Sequence, residues 1–522
     1  VTGTQNARTI EDLPERFNAA VDLIEPNIRE GRADKIAVID FQGATTYRQL
    51  AERIDRTANL LRSMGIHREQ RILLSLLDTV DFPTVFLGAL KAGIIPVPLN
   101  TLLVTDDFYW VLRNSGATAV FVSDEVAAPW EDIARKNPSV QFVSCGDHGP
   151  WKKLNDLLAN ERAIAEAADT HRDEIAFWLY TSGSTGRPKG AMHTHASLRL
   201  SANLYGLPIA GYQQSDIVHS VAKQFFAYGL GNALTFPFAA GATVVLNRDR
   251  PTPHTVSALL RDYQVTLLNG VPTFFAGWLA SDEIPSKDEI PGLRLATSAG
   301  ECLPAPIGNA FFDRFGIDVI DGLGSTEMLH IFLSQRPGTV RYGCTGQPVP
   351  GYELRIVTDD GSIARPGELG ELHVKGPTAA TGYWKNHPKS LETFTGEWVR
   401  TGDKYICDTD GWYTYGGRSD DMLKVGGIFV SPKEVEEALA SHDCVLEVAV
   451  VGAKDRDSLV KPRAHVVLKS NYTASLETEA ILKAHVKKLL APYKYPRWIE
   501  FMNELPKTAT GKIQRFKLRG QA

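Results

Sequence analysis

Cysteine is scarce here: Cys145, Cys302, Cys344, Cys407 and Cys444 are the only five in 522 residues. Their number is odd and no Cys-x-x-Cys spacing occurs, so neither a disulfide-stapled secreted domain nor a cysteine-based zinc site is expected. No apolar run approaches the roughly 18–20 residues of a membrane span. The opening Val1-Thr2-Gly3-Thr4-Gln5 lacks the charged-then-apolar plan of a secretory signal. Lysine and arginine form no dense run and the formal charge is −5, which argues against a nucleic-acid surface. His-Glu-x-x-His, Gly-x-Ser-x-Gly and a complete Gly-x-Gly-x-x-Gly are all missing, as are repeats and low-complexity tracts. What remains is an ordinary globular composition, 43% hydrophobic and 22% charged, in a chain too long for one hydrophobic core. A cytoplasmic enzyme of two or more domains is the expectation.

The most informative segment is Trp178-Leu179-Tyr180-Thr181-Ser182-Gly183-Ser184-Thr185-Gly186-Arg187-Pro188-Lys189-Gly190. Hydroxyls, glycines and a lysine follow an apolar, strand-like stretch, so backbone N–H groups and side-chain hydroxyls can converge on an anion such as a triphosphate. It is not a P-loop, which needs Gly-Lys-Ser/Thr opening a helix. Pro188 before the lysine and Gly190 after it imply a different phosphate-binding architecture.

Patterning upstream alternates strands and helices. Thr46–Leu61 reads as a helix, Ile72–Leu76 as a buried strand, Val85–Gly93 as the next helix, and Ile95–Leu99 and Ala119–Val122 as further strands. Ala242–Leu246 and Leu293–Ser298 extend the series, which predicts parallel sheets covered by helices. Beyond Leu354–Val357 the texture shifts to shorter strands, Glu371–Gly376 and Trp412–Tyr415, separated by Gly, Asp and Pro. Ser431-Pro432-Lys433-Glu434 predicts a capping box with proline at the first helical position. Strands at Glu447–Gly452 and His465–Leu468 and a helix over Leu476–Leu490 complete a small α+β unit of about a hundred residues. The expected fold is α/β, with a large N-terminal domain of helix-covered sheets plus a β-rich subdomain over 1–419 and a small mobile lid over 420–522.

Gly322-Leu323-Gly324-Ser325-Thr326-Glu327, Thr401-Gly402-Asp403, Gly417-Arg418-Ser419-Asp420-Asp421 and Pro506-Lys507-Thr508-Ala509-Thr510-Gly511-Lys512 follow the hydroxyl-rich loop in order. Together these motifs resemble the adenylate-forming superfamily of acyl-CoA ligases, peptide-synthetase adenylation domains and luciferases, over nearly the whole chain. Ala222–Asn232 and Ser325–Phe332 are similar to benzoate–CoA ligases in particular. The resemblance implies two half-reactions: a carboxylate and ATP give an acyl-AMP and pyrophosphate, then a thiol displaces AMP. Bringing a carboxylate to a triphosphate makes charge neutralisation and positioning the chief catalytic tasks.

Residue by residue, the resemblance gives Thr181, Ser182, Gly183, Ser184, Thr185, Gly186 and Lys189 the β- and γ-phosphates, and Glu327 beside Thr326 a Mg²⁺ ion. Asp403 would take the ribose hydroxyls, Arg418 would add a donor from the other side of the nucleotide, and adenine would lie against Ser298, Ala299, Gly300, Glu301, Asp321 and Gly322. Leu323 stands where many relatives carry a tyrosine that stacks on adenine. Lys512 would catalyse adenylation. Asp420 would be the hinge that then presents Lys424, Gly426 and Gly427 for coenzyme A. Acetylation of Lys512 by a lysine acetyltransferase would remove its charge and block the first step.

Phe225, Phe226, Ala227 and Tyr228, with Phe274, Phe275 and Trp278, suggest aromatic walls for the acid. Gly324, His330 and Ile331 adjoin the magnesium glutamate, and Ala299 completes the set. No Asp or Glu occurs between Ser220 and Asn232 to hold an α-ammonium. The expectation is therefore a benzoate–CoA ligase using ATP, Mg²⁺ and coenzyme A, as a monomer or homodimer with no nucleic-acid or membrane partner. The alternatives are a 2-aminobenzoate or 4-hydroxybenzoate CoA ligase, an enzyme loading a carrier protein, and, in another class, a catalytically silent nucleotide-binding sensor. His193 and His195 form His-x-His without an evident third ligand and read as structural.

Overall fold

Helix Tyr47–Ser63 shows how directly the sequence dictates the local structure. Thr46 caps it by accepting from Gln49 N while Gln49 returns a bond to the Thr46 N–H, and Leu50, Ile54, Ala58 and Leu61 form its buried stripe. The stripe packs on helix Asp81–Ala92, which is buried along its whole length and stops at Gly93, in the left-handed region at φ 73°. Gly88 permits this close approach: a Cβ there would lie 2.5 Å from Thr57 Cβ.

These elements belong to a computed structural model that describes residues 4–181, 188–418, 421–425, 428–455, 460–490, 494–507 and 513–519. The chain divides into two compact units, residues 1–353 with 374–399, and residues 354–373 with 400–522. The first is built on two large sheets. A nine-stranded sheet has a parallel centre, in the order Val319–Gly324, Leu295–Ala299, Leu267–Gly270, Ile217–Ser220, Thr243–Val245 and Ile36–Asp40. Antiparallel strands extend both edges. A five-stranded parallel sheet runs Ile95–Pro98, Arg71–Ser75, Ala119–Ser123, Gln141–Cys145, Lys152–Lys153. The central strands of both are largely apolar because helices cover their faces.

In the second unit, residues Asp403–Cys407 of strand Trp398–Cys407 pair antiparallel with strand Tyr413–Arg418. Beyond it, Val445–Lys454, Val460–Leu468 and Trp498–Phe501 form a three-stranded sheet. Val435, Leu439, Val450, Val466, Leu482 and Val486 form the core between that sheet and helices Pro432–Ala440 and Leu476–Leu489. The expected capping box at Ser431 is absent: the Ser431 side chain makes no cap hydrogen bond, and Glu434 bonds Lys494 instead. A nearby ammonium is a stronger partner for a carboxylate than a backbone N–H. Among the described residues no helix is long and apolar enough to cross a membrane.

Candidate functional site: a carboxylate turn beside an aromatic cluster

Thr181 ends strand Ile175–Thr181 and pairs with Lys189, which opens strand Lys189–Thr194. The glycine- and hydroxyl-rich segment thus joins two antiparallel strands rather than a strand to a helix, the departure from the P-loop that Pro188 and Gly190 imply. Ser182, Gly183, Ser184, Thr185 and Gly186 lie outside the described residues.

Glu327 sits on one short helical turn, Thr326–Met328, whose entry is held by Ser325 accepting from Met328 N. Three successive carbonyls of this turn are gripped from outside it. Thr326 O accepts from His193 Nε2 at 2.8 Å, Glu327 O from Ala380 N at 2.7 Å, and Met328 O from Thr378 Oγ1 at 2.8 Å. His330 N also donates to Met328 O at 2.8 Å across Leu329, at φ 65° and ψ −48°. That is a γ-turn of the rare positive-φ kind, strained for a branched side chain, and the buried Leu329 side chain is locked in the core around it. The strained turn sends Glu327 and His330 to different surroundings only three positions apart.

Burial holds the His193 imidazole neutral, lowering its pKa to about 4, so Nε2 carries the proton it gives to Thr326 O. His195 Nδ1 accepts from Ala19 N at 3.2 Å. The two histidines of His-x-His have separate partners and serve packing.

Phe226, Ala227 and Tyr228 are half-buried where the chain enters the turn of helix Ala227–Leu230, whereas Phe225 is buried in the core. Tyr228 Oη lies 2.6 Å from Thr297 Oγ1, which donates onward to Asn269 Oδ1 at 2.8 Å. Tyr212 Oη donates to the same Asn269 oxygen at 3.0 Å. His330 lies against Tyr228, Tyr205 and Phe236, its ring centroid 4.5 Å from that of Phe236, and its Nε2 is 3.3 Å from Tyr228 O. Burial lowers its pKa to about 3, so it presents a neutral ring. Gly231 makes room for it: a Cβ there would fall 2.3 Å from His330 Cδ2. Phe275 and Trp278, expected at the acid, instead pack on Phe311 and Phe315 of helix Ala305–Phe315, with centroids 5.4 Å and 5.6 Å apart for the pairs Phe275–Phe311 and Trp278–Phe315. Their helix, Pro272–Leu279, buries them in a separate core, and Phe274 joins that core.

A buried carboxylate does adjoin this region, from a distant part of the chain. Asp78 Oδ1 accepts from Gln224 N at 3.0 Å, and burial raises its pKa to about 6 against the pull of Lys223. Nothing between Ser220 and Asn232 signals it, because the contact spans 146 positions.

Ala299 ends a central strand opposite Gly322, and Gly300 follows at φ 94°. Asp321 Oδ2 accepts from Leu303 N at 3.1 Å, tying down the Gly300–Glu301 bend. Cβ atoms at Gly322 and Gly324 would approach Ile331 Cδ1 to 2.8 Å and His330 O to 2.6 Å. Glycine is therefore required at Gly324, where the close atoms are backbone of the strained turn, whereas at Gly322 the Ile331 side chain would have to shift.

In the second unit Asp403 and Arg418 face each other across paired strands, with Arg418 Nη1 3.1 Å from Asp403 Oδ1. Arg418 also donates to Thr401 O at 3.1 Å, and Thr401 Oγ1 accepts from Asp403 N at 3.1 Å. Cross-strand pairing puts both groups side by side. Lys424 is on strand Leu423–Val425, paired with Ile428–Val430, its side chain outside the description, as are Gly426, Gly427 and Asp420. Lys512 is outside it as well. Its flanks are fixed by a bridge from Lys507 to Ile513, by Gln514 N donating to Pro506 O at 2.7 Å, and by Arg515 Nη2 reaching both Glu436 oxygens at 2.9 Å.

Among the described residues no group of three His, Cys, Asp or Glu is arranged to hold a metal. Glu327 supplies a single half-buried carboxylate. That donor set fits Mg²⁺, a hard cation commonly held by one or two carboxylates, water and the phosphates it accompanies.

Comparison with known proteins adds independent findings. Residues 26–384 match the family model described as AMP-binding enzyme, and residues 434–512 match that of the AMP-binding enzyme C-terminal domain. The chain is 51% identical to a benzoate–CoA ligase of Thauera aromatica over 97% of its own length and 96% of the relative's. Its fold matches a benzoate CoA ligase from Burkholderia xenovorans at TM-score 0.91 and 50% identity, covering 96% of this chain and 100% of that one. It also matches an anthranilate CoA ligase in complex with anthranoyl-AMP at TM-score 0.93 and 40% identity, covering 98% of both.

Proposed function

This chain belongs to the AMP-binding enzyme family, and from that premise we propose that it is an ATP-dependent ligase converting benzoate to benzoyl-CoA through benzoyl-AMP. The observation that carries the reading is the strained Leu329 turn, which sets a carboxylate suited to a cation three positions from a neutral aromatic surface. A flat apolar acid gains offset and edge-on contacts from rings such as Phe226 and Tyr228. Its carboxylate is then directed toward the segment that carries Glu327.

In the first half-reaction a benzoate oxygen attacks the α-phosphorus of ATP and pyrophosphate leaves. Thr181 and Lys189, with the hydroxyl-rich loop between them, hold the β- and γ-phosphates. Glu327 would hold Mg²⁺, which when bound offsets charge on the phosphates. Lys512 offsets the repulsion between the incoming carboxylate and the α-phosphate. Asp403 accepts from the ribose hydroxyls, and Arg418 fixes the Asp403 carboxylate. In the second half-reaction the coenzyme A thiol loses its proton, its sulfur attacks the benzoyl carbon, and AMP leaves with the C–O bonding pair. We assign Lys424, Gly426 and Gly427 to that step and Asp420 to the turn between the two arrangements, with 1–419 and 420–522 as the moving parts. The likeness to an anthranilate CoA ligase favours 2-aminobenzoate as a second substrate.

The test is pyrophosphate release from Mg-ATP with benzoate, 2-aminobenzoate, 4-hydroxybenzoate, a medium-chain fatty acid and phenylalanine, with and without coenzyme A. Steady turnover with benzoates that depends on coenzyme A is expected. Turnover without that dependence indicates a carrier-protein acceptor, and silence with every acid refutes the ligase. Lys512→Ala should abolish acyl-AMP formation while sparing thioester formation from supplied benzoyl-AMP, and Asp420→Pro should do the reverse.

A further inference from the structure

Tyr383 was not singled out by any motif, yet it touches two of the groups placed at the phosphates. Its hydroxyl donates to Glu327 Oε1 at 2.6 Å, and its ring centroid lies 5.7 Å from Lys189 Nζ. The ring is buried, 6% exposed, with Phe394 packed edge-on at 5.4 Å. The backbone around it is stitched to the same two places. Met192 N donates to Gly382 O at 3.0 Å, Trp384 N to Gly190 O at 2.8 Å, and Ala380 N to Glu327 O at 2.7 Å. Ser390 Oγ accepts from Tyr383 N at 2.9 Å. The segment 380–384 thus runs beside the strand that leaves the phosphate loop while gripping the carboxylate turn.

We propose that Tyr383 is the positioning residue of the cation site. Its hydroxyl fixes one oxygen of Glu327 so that the carboxylate keeps a single orientation, and its ring face holds the Lys189 ammonium at a set distance from that carboxylate. The buried ring cannot turn away, and a phenol is a donor strong enough to orient a carboxylate without neutralising it. This rests on the assignment of Glu327 to Mg²⁺ and deepens it: the metal carboxylate and the phosphate lysine are set by one side chain.

The experiment is titration of Mn²⁺, followed by electron paramagnetic resonance, into the full chain with α,β-methylene-ATP, which resists cleavage at the bond the enzyme breaks. Tyr383→Phe keeps the ring and removes only the hydroxyl, and should weaken Mn²⁺ retention about 10- to 100-fold. Its affinity for a non-reactive benzoyl-adenylate analogue, which carries no metal, should stay at the wild-type value, and its stability should fall by no more than the cost of one lost hydrogen bond. In a Glu327→Gln background, itself weakened, the Tyr383→Phe change should have no further effect on Mn²⁺. Unchanged Mn²⁺ retention in Tyr383→Phe, with Glu327→Gln weakened, overturns the role of Tyr383. Equal losses for Mn²⁺ and for the analogue also overturn it, since they mark a merely structural residue. Full retention in Glu327→Gln refutes the metal assignment on which the inference rests.

Discussion

Acid should destabilise the first unit steeply, because it buries several neutral imidazoles. Desolvation lowers His193, His195 and His219 to about 4, and His330 to about 3. An unfolded imidazole titrates near 6.5, so below that pH the unfolded chain binds protons the native one refuses. The depressed folded values mean that the stability these groups contribute is whole above about pH 6.5 and declines between there and about pH 4. At pH 5.5 each unfolded imidazole is about nine-tenths protonated, and each buried one costs about 1.4 kcal/mol relative to pH 7.5. The four together cost about 5–6 kcal/mol. Asp78 acts in the opposite sense: its folded value of about 6 lies above that of a free aspartate, so it returns about 0.8 kcal/mol at pH 5.5. The net loss is about 5 kcal/mol, a large part of the stability of an ordinary domain. Tryptophan fluorescence during urea unfolding at pH 7.5, 6.5 and 5.5 measures it, and His330→Leu should flatten the dependence by about a quarter. A midpoint that stays constant from pH 7.5 to 5.5 would refute the reasoning, because the imidazoles would then have to be protonated in the native state.

The buried chain Tyr228–Thr297–Asn269 predicts an asymmetry. Tyr228→Phe should cost about 1 kcal/mol, whereas Thr297→Val leaves a buried phenol without its acceptor and should cost about 2–3 kcal/mol. The double variant should fall short of the sum; strict additivity in the same urea assay contradicts the hydrogen bond, and a Thr297→Val cost no larger than that of Tyr228→Phe contradicts its direction. Gly231→Ala should lower stability by about 1–3 kcal/mol and raise KM for benzoate, since the added Cβ would meet the His330 ring at 2.3 Å. An unchanged melting temperature and KM would mean the ring is free to move. Gly402→Ala places a Cβ 2.9 Å from Arg418 Nη2 at a φ of 71°, and should raise KM for ATP several-fold while leaving KM for benzoate unaltered. Equal shifts in both constants would count against the ribose assignment of Asp403.

Much of the fold was legible because it depends on local rules. The helices expected over Thr46–Leu61 and Val85–Gly93 appear as Tyr47–Ser63 and Asp81–Ala92, since what starts and stops them acts within a turn or two. The parallel strand Ala119–Ser123 was visible as the unbroken apolar run Ala119–Val122 for the same reason. Ser431 failed because a local motif lost to a distant partner: Lys494 took the carboxylate that the capping box needed.

The site divides in the same way. Glu327, the hydroxyl-rich loop, Asp403 and Arg418 stand in short motifs that resemble the adenylate-forming superfamily, so the reaction class was legible from the sequence. Whether an aromatic ring lines a site or fills a core depends on what faces it. Phe275 and Trp278 turned out to be core because helix Ala305–Phe315 packs against them. The contacts of Tyr383 with Glu327 and of Asp78 with Gln224 join positions 56 and 146 apart. No periodicity or motif spans such separations. Only the packing of the sheets, which closes those loops, brings the chemistry of one segment within hydrogen-bonding reach of another.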